Sequence, residues 1–522
     1  MIHLRKRLVF PRLSALDQTI VATALKSIFD DLGRQDLSPW LGSSYLMTAA
    51  PLGTLYGKFA DIFGRKWVFI FAIVVFELGS AMCGAAKTME FLIAGRAVAG
   101  VGGGGIFSLV LIIISDIVSL RDRGKFQGLI GAVFGLASVI APLIGGTFSD
   151  NVTWRWCFYI NLPLGAITLA TVIAFLNFPP PEGTINEKLH RIDGLGAILL
   201  FISIICLVTP LQLGGSTWAW NSAQVISLFI LSVVFGAIFV YVELKVAKEP
   251  IIPSAIFVNR SVPALLGISL CLGAGFLSGV YYVSLFFQAV FDVTATQAGL
   301  AIIPMVIGLV IMSISSGLLV SKYGTYRHFL FIGPVIMGLG IVLMSTLNGD
   351  SNSAMKILYL GVFGLGVGSM IQVRILGTCS ASRATTTAVA QTCNTLGGAV
   401  GVSITGTIFN NVVVSATQND ADLLNVVGQL QAHNVSLGVR DVLPLLSVLS
   451  NSTALLPPGL PPAAQDAARG VIESARGQLV HGFNEAYRTA YLCTLPYPVL
   501  ILCFALLVQN YKMKGGRAAP AE

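Results

Sequence analysis

Residues 57–66 read GKFADIFGRK, and residues 317–327 read GLLVSKYGTYR. Each is a short turn between long apolar stretches, with Gly57 and Gly64 in the first matched by Gly317 and Gly324 in the second, and a basic residue beyond. Glycines here permit a tight turn and close helix approach. In the first turn Asp61 is placed to accept from Arg65, Lys66 or a neighbouring loop. Such a clasp can be broken in one state of a moving protein and remade in another.

The repetition extends outward. AGVGGGGIF (99–107) pairs with FGLGVGSMI (363–371), and APLIGGTFSD (141–150) pairs with TLGGAVGVS (395–403). The members of each pair are separated by roughly 250–265 residues. Between and around these segments run stretches of about 20 mostly apolar residues, the length a membrane-spanning helix needs. They lie near 9–28, 41–60, 67–86, 91–114, 126–148, 156–177 and 194–213, then 222–244, 263–287, 297–320, 328–347, 357–375, 388–412 and 491–509.

Composition agrees with fourteen spans. Of 522 residues 55% are hydrophobic and 11% charged, with a mean hydropathy of +0.81, whereas soluble domains carry about 25% charged residues. No soluble surface can be built from so few charges, and disorder, a coiled coil and a disulfide-rich module are excluded. The expected fold is an all-α polytopic membrane protein: six spans (1–180), an inserted pair (181–250) and six related spans (251–522). The last unit includes one long extracytoplasmic stretch, 413–490, in which the PPGLPP run (457–462) precedes a short helix expected near 463–480. Two related six-helix halves with a site between them is a plan used by secondary transporters.

Orientation follows from Lys and Arg. With a cytoplasmic N-terminus, most of the 32 basic residues fall inside, among them Arg5, Arg7, Lys58, Arg65, Lys66, Arg121, Arg123, Lys188, Arg191, Lys322, Arg327, Arg374, Arg383 and Lys512. Both termini are therefore expected in the cytoplasm, with no cleaved signal peptide. The net charge of +8 is a topology signal and calls for no nucleic acid. Eight cysteines form no disulfide framework, and no Cys/His spacing marks a zinc site. No metal or other cofactor is expected.

Gly100 to Gly105 match a GxGxxG pattern, but within a spanning helix and without a preceding strand, so they serve close helix packing rather than a nucleotide. No GxxxxGK[ST] loop occurs, which excludes an ATP-driven pump for this chain alone. Charges within spans are functional candidates by default. Asp17 in span 1 and Arg96 in span 4 are the leading pair, either for proton coupling or as a fixed ion pair; Glu77 in span 3 is either a proton carrier or interhelical packing. Asp116 and Glu243 read as caps at span ends, and Arg155 between Trp154 and Trp156 as an interfacial anchor. Pro142, Gly145 and Gly146 mark a bend or close contact in span 5. Asn434 and Asn451 head glycosylation sequons in the outer stretch, and Asn151 heads a third close to span 6.

Together LDQTIVATAL (16–25), GKFADIFGRK (57–66), FLIAGRAVAGVGGG (91–104), APLIGG (141–146) and WRWCFYINLPLG (154–165) resemble the fourteen-spanner drug:proton antiporter branch of the major facilitator superfamily, in its fungal wording. That resemblance implies the major facilitator fold, proton-coupling roles for Asp17 and Arg96, gating roles for Gly57, Asp61, Gly64 and Arg65, and an antiport motif at Pro142, Gly145 and Gly146. The expected activity is proton-coupled export of an amphipathic organic compound, such as a fungal secondary metabolite, toxin or drug, by a monomer in the lipid of the plasma membrane. The alternative keeps the fold and serves the opposite end, namely uptake, or vacuolar sequestration, of a cationic nutrient such as a basic amino acid. A non-transporting sensor fits less well with the short expected C-tail, and no catalytic dyad points to an enzyme.

Overall fold

The computed structural model describes residues 38–118, 151–176, 191–214, 218–247, 249–252, 255–291, 295–381, 384–417 and 462–509, with isolated positions elsewhere, among them Ala24, Ile28, Asp31, Leu32 and Gly145. Expected spans 1 and 5, with Asp17, Pro142 and Gly146, lie largely or wholly outside these residues, as do Asn434 and Asn451.

The described chain is helical. The N-terminal half contains α1 (Ser38–Phe63), α2 (Arg65–Gly84), α3 (Met89–Ile117) and α4 (Asn161–Phe175). Helices α5 (Gly194–Leu213) and α6 (Ala223–Lys245) follow, where the inserted pair is expected. The C-terminal half contains α7 (Ser261–Phe291), α8 (Ile303–Tyr323), α9 (Arg327–Ser345), α10 (Ser353–Ala381), α11 (Ala384–Thr417), α12 (Pro462–Leu492) and α13 (Pro496–Leu507). Eleven spans among the described residues are long and apolar enough to cross a membrane, and α1 adds a long helix where the second span is expected.

Local chemistry sets the helix ends. Thr88, Asp193 and Ser222 accept from the backbone N–H groups of Phe91, Gly196 and Val225, satisfying donors that the first turn leaves over. Gly64 between α1 and α2 has φ 91°, and Gly324 after α8 has φ 72°. Both occupy the left-handed region that favours glycine, so the two halves turn at equivalent glycines.

The repeat also governs packing. Gly100 and Gly104 of α3 lie against the backbone of α1 at Tyr45 and Ala49, while Gly102 lies against α2 at Ala72 and Phe76. In the other half, Gly364 and Gly368 of α10 lie against α8 at Met305 and Leu309, and Gly366 lies against α9 at Met337. The glycine run read as a helix-packing surface has that role in both halves.

Each half has its own core. Phe69, Phe76, Tyr45 and Tyr56 anchor the first, and Phe286, Phe363, Met337 and Phe483 the second. The inserted helices join through reciprocal bonds from the Ser203 hydroxyl to Ser232 C=O (3.0 Å) and from the Ser232 hydroxyl to Ser203 C=O (2.9 Å). Helix α5 then packs at the junction of the halves, with Ile204 and Val208 against Ala50 of α1 and Ala399 of α11.

The last candidate span runs over Gly477–Leu507, starting before the 491 expected, and α11 continues past 412 to Thr417. Val413 is buried in α11, and Leu479, Phe483, Ala486, Tyr487, Ala490 and Tyr491 form the buried stripe of α12. His481, Glu485 and Arg488 occupy intervening positions and lower the local hydropathy below what a span search detects.

Candidate functional site

The turn at Gly64 closes on itself around one guanidinium. Because Gly64 turns the chain sharply, Arg65 at the start of α2 comes back over the end of α1. Its Nη2 pairs with Asp61 Oδ1 at 2.6 Å and its Nη1 donates to Ala60 C=O at 3.0 Å. Its Nε donates to Asp116 Oδ2, at the end of α3, at 3.0 Å. One arginine therefore ties together the ends of three helices. Asp116, read as a cap, is the third member of this clasp. Lys66 takes no part, donating instead to Ile173 C=O at the end of α4 (2.9 Å), where a cation complements the helix dipole.

Directly beside the clasp the two halves meet. Gly57 lets α1 approach α11 so closely that an added Cβ would lie 3.1 Å from Ala388 Cβ. Further along, Thr54 donates its hydroxyl to Thr392 at 2.7 Å, both residues buried. These contacts form a seal between the C-terminal part of α1 and the N-terminal part of α11. The seal is asymmetric. At the equivalent turn of the second half, Ser321 stands where the first has Asp61, and Tyr326 holds the turn by donating to Gln509 C=O at 3.1 Å.

A second ionic cluster lies at the base of the inserted pair. Glu249 accepts from Lys58 at 3.1 Å and from Arg191 at 2.8 Å. Arg191, then Lys58, hold its carboxyl below the usual 4.5. Glu243 accepts from the backbone N–H groups of Ile251 and Ile252, which agrees with its reading as a cap.

The proton-coupling candidates are separated. Arg96, 2% exposed, donates through Nε to Leu41 C=O at 3.3 Å and places its guanidinium 4.6 Å from the Tyr45 ring centre. It therefore packs against α1. Glu77 faces α4 instead, with its carboxylate against Gly165. Asp17 lies outside the described residues. Of the span-5 motif, Gly145 is described: it is buried, and its carbonyl accepts from the Cys157 thiol at 3.8 Å. Asn151 is exposed, its amide donating to Thr147 C=O at 3.1 Å.

Trp154 corrects the anchor reading. Trp156 is exposed as an anchor would be, but Trp154 is buried and its indole N–H donates to Asp31 at 3.0 Å. Arg155 donates to the same Asp31 oxygen at 2.7 Å and to Ala86 C=O at 2.9 Å. Arg155, with help from Trp154, holds the Asp31 carboxyl below its usual 3.8. The opposite end of the N-terminal half thus has its own clasp.

Arg374 is a further correction. Counted with the cytoplasmic basic residues, it is instead 2% exposed within α10. Its Nη1 donates to Ser269 Oγ (3.1 Å) and Ala390 C=O (3.3 Å), and its Nη2 to Gln391 Oε1 (3.2 Å). Among the described residues no group of His, Cys, Asp and Glu could hold a metal ion.

Comparison with known proteins is consistent with this architecture. The chain is 38% identical over 436 residues to the MFS-type efflux pump MFS1 of Trichophyton rubrum, covering 81% of both chains. It is 36% identical to the efflux pump roqT of Penicillium rubens, covering 81% of this chain and 80% of that one. Multidrug resistance protein 3 of Bacillus subtilis is 37% identical, with 78% and 79% covered. The crystal structure of the human organic anion transporter MFSD10 shares the fold at a TM-score of 0.54 and 14% identity, covering 91% of this chain and 99% of that one. The profile of the Major Facilitator Superfamily matches residues 13–402. With that match across most of its length and relatives of this identity and coverage, the chain belongs to the Major Facilitator Superfamily.

Proposed function

We propose that this protein exports amphipathic organic compounds in exchange for protons, by alternating access between two six-helix halves. Relatives named as efflux pumps and a multidrug resistance protein support export. The observation that carries the mechanism is the Asp61–Arg65–Asp116 clasp beside the Thr54–Thr392 seal. It is a set of exposed, breakable ion pairs at the junction that must part for the cytoplasmic side to open.

In this reading the full chain has fourteen spans in a 6 + 2 + 6 order with both termini cytoplasmic, and works as a monomer in the plasma membrane. Protons entering from outside neutralise a carboxylate, Asp17 foremost, and favour the inward-facing state. Arg96 holds the ionised form or its water access in the other state. Pro142, Gly145 and Gly146 give span 5 the bend that antiport uses. Moving each charge across 100 mV supplies about 2.3 kcal/mol. The client is a fungal secondary metabolite, toxin or drug. Among the described residues of the C-terminal half the buried charged side chain is Arg374, with no buried carboxylate, which favours such a client over a cationic nutrient.

Uptake of amphipathic compounds into inside-out vesicles, with and without an imposed proton gradient, tests the proposal. Gradient-dependent accumulation, lost in Asp17→Asn and Arg96→Ala at normal expression, is the expected result. Accumulation that ignores the gradient would overturn the antiport reading.

A further inference from the structure

Arg374 is a permanent cation enclosed by α7, α10 and α11. Among the described residues every bond it makes is to a neutral acceptor: the Ser269 hydroxyl, the Ala390 carbonyl and the Gln391 amide oxygen. No carboxylate among the described residues pairs with it, and its Nε is buried without a hydrogen-bond partner. A guanidinium offers five N–H donors in a fixed fork suited to an oxyanion. Burying it without a countercharge costs several kcal/mol, and charges at membrane depth persist where they serve a function.

Its position relative to the seal gives that charge a use. Arg374 lies in the last third of α10, which ends at Ala381 on the side where α11 begins. On α11, Ala390 and Gln391 bond Arg374, while Ala388 and Thr392 contact α1. The two sets of contacts interleave within five consecutive residues of one helix. Gln391 is half-buried, whereas its neighbour Thr392 is closed off beneath Thr54. When α1 and α11 part, the segment that covers the guanidinium is the segment that loses its cross-half contacts. An oxyanion arriving from the cytoplasm can then take over the place of the Gln391 amide and reach the free Nε–H.

We propose that Arg374 is a binding site for the carboxylate of an amphipathic client, covered in the closed state by Ala390 and Gln391 and uncovered by opening of the α1–α11 seal. The proposal rests on the export reading above and narrows its substrate class to organic acids. It is distinct from a clamp that merely positions α11, because a clamp has no preference for the charge of the client.

The test compares an acid with its own neutral ester. Inside-out vesicles take up dansyl-undecanoate or its methyl ester, and the purified full chain is titrated with both probes by dansyl fluorescence. In the wild type the acid should bind and enter with a Kd and KM about tenfold below those of the ester, the worth of one charge-assisted bond. Arg374→Gln should erase that preference by weakening the acid alone, and Arg374→Lys, which keeps the charge but not the fork, should retain part of it. Inorganic sulfate in excess should displace little acid. The proposal is overturned if the wild type shows no acid preference, if the preference survives in Arg374→Gln, if acid and ester fall in parallel, or if sulfate displaces the acid fully. Absence of transport of both probes by the wild type would sink the export reading, while the titration still decides the role of Arg374.

Discussion

Arg65 gathers three helix ends with three nitrogens, and its two carboxylate partners do not act independently. Each pair is partly exposed and contributes about 0.2–1 kcal/mol at most, so neither locks the protein. Asp116→Asn should shift the balance toward the opened cytoplasmic side by roughly fivefold, equivalent to about 1 kcal/mol. Faster maleimide labelling of a Ser108→Cys reporter beneath the seal, with the native cysteines replaced, reads this out. Asp61→Asn combined with Asp116→Asn should add less than the sum of the single changes, because both release the same guanidinium. On the outer side, Asp31 has a lowered pKa in the folded protein, so its bonds to Arg155 and Trp154 contribute above its ordinary value of 3.8 and are lost as pH falls through the lower folded value. The Tm difference between wild type and Asp31→Asn should hold constant from about pH 5 to 8 and vanish in the acid limb. The Asp61–Arg65 contact was legible because it is local, four residues along one turn. Asp116 and Asp31 were not, since their partners are 51 and 124 residues away, and Arg374 was not, since its partners lie on two other helices, at Ser269, Ala390 and Gln391; no periodicity encodes such a meeting. Arg374 carried a misleading signal as well, being close enough to a helix end to count as a loop charge.

At the level of the helix, the matched glycines on α3 and α10 set how near the neighbouring backbones come. A Cβ at Gly102 would meet the Phe76 nitrogen and the Ala72 carbonyl, and one at Gly366 would meet the Met337 nitrogen. Backbone atoms cannot yield as a flexible side chain does. Gly102→Ala and Gly366→Ala should each cost at least about 1–3 kcal/mol, whereas Gly194→Ala, with open space around it, should be neutral. Thermal unfolding of the detergent-solubilised variants checks all three. Most helices were readable as apolar runs of spanning length, because lipid demands that each span satisfy its own backbone. The C-terminal α12 was readable only in its first part, as the short helix expected near 463–480, and not as a packed continuation toward the membrane. It faces protein on one side with tyrosines and phenylalanine and carries charges between them, so average hydropathy hides a stripe that only packing reveals.

Across the described residues, the closing contacts gather at one edge. The seal joins α1 to α11, the clasp stands beside it, and α5 lies over their outer seam through Ile204 and Val208. The companion α6 turns Val233 (72% exposed) and Tyr241 (63% exposed) outward. A hydrophobic photoreactive lipid should label Val233 and Tyr241 heavily and leave Ala50 and Ala399 unmarked; equal labelling would mean that α5 does not cover the seam. That cover has a consequence for how a greasy client arrives. A compound dissolved in the bilayer, drifting along the flank where α1 and α11 meet, encounters a helical wall instead of a slit. The inserted pair thus makes the perimeter of the protein unequal toward the surrounding leaflets: this side is blocked to lateral entry, and a bilayer-borne client must come in from another quarter of the circumference or through the aqueous mouth.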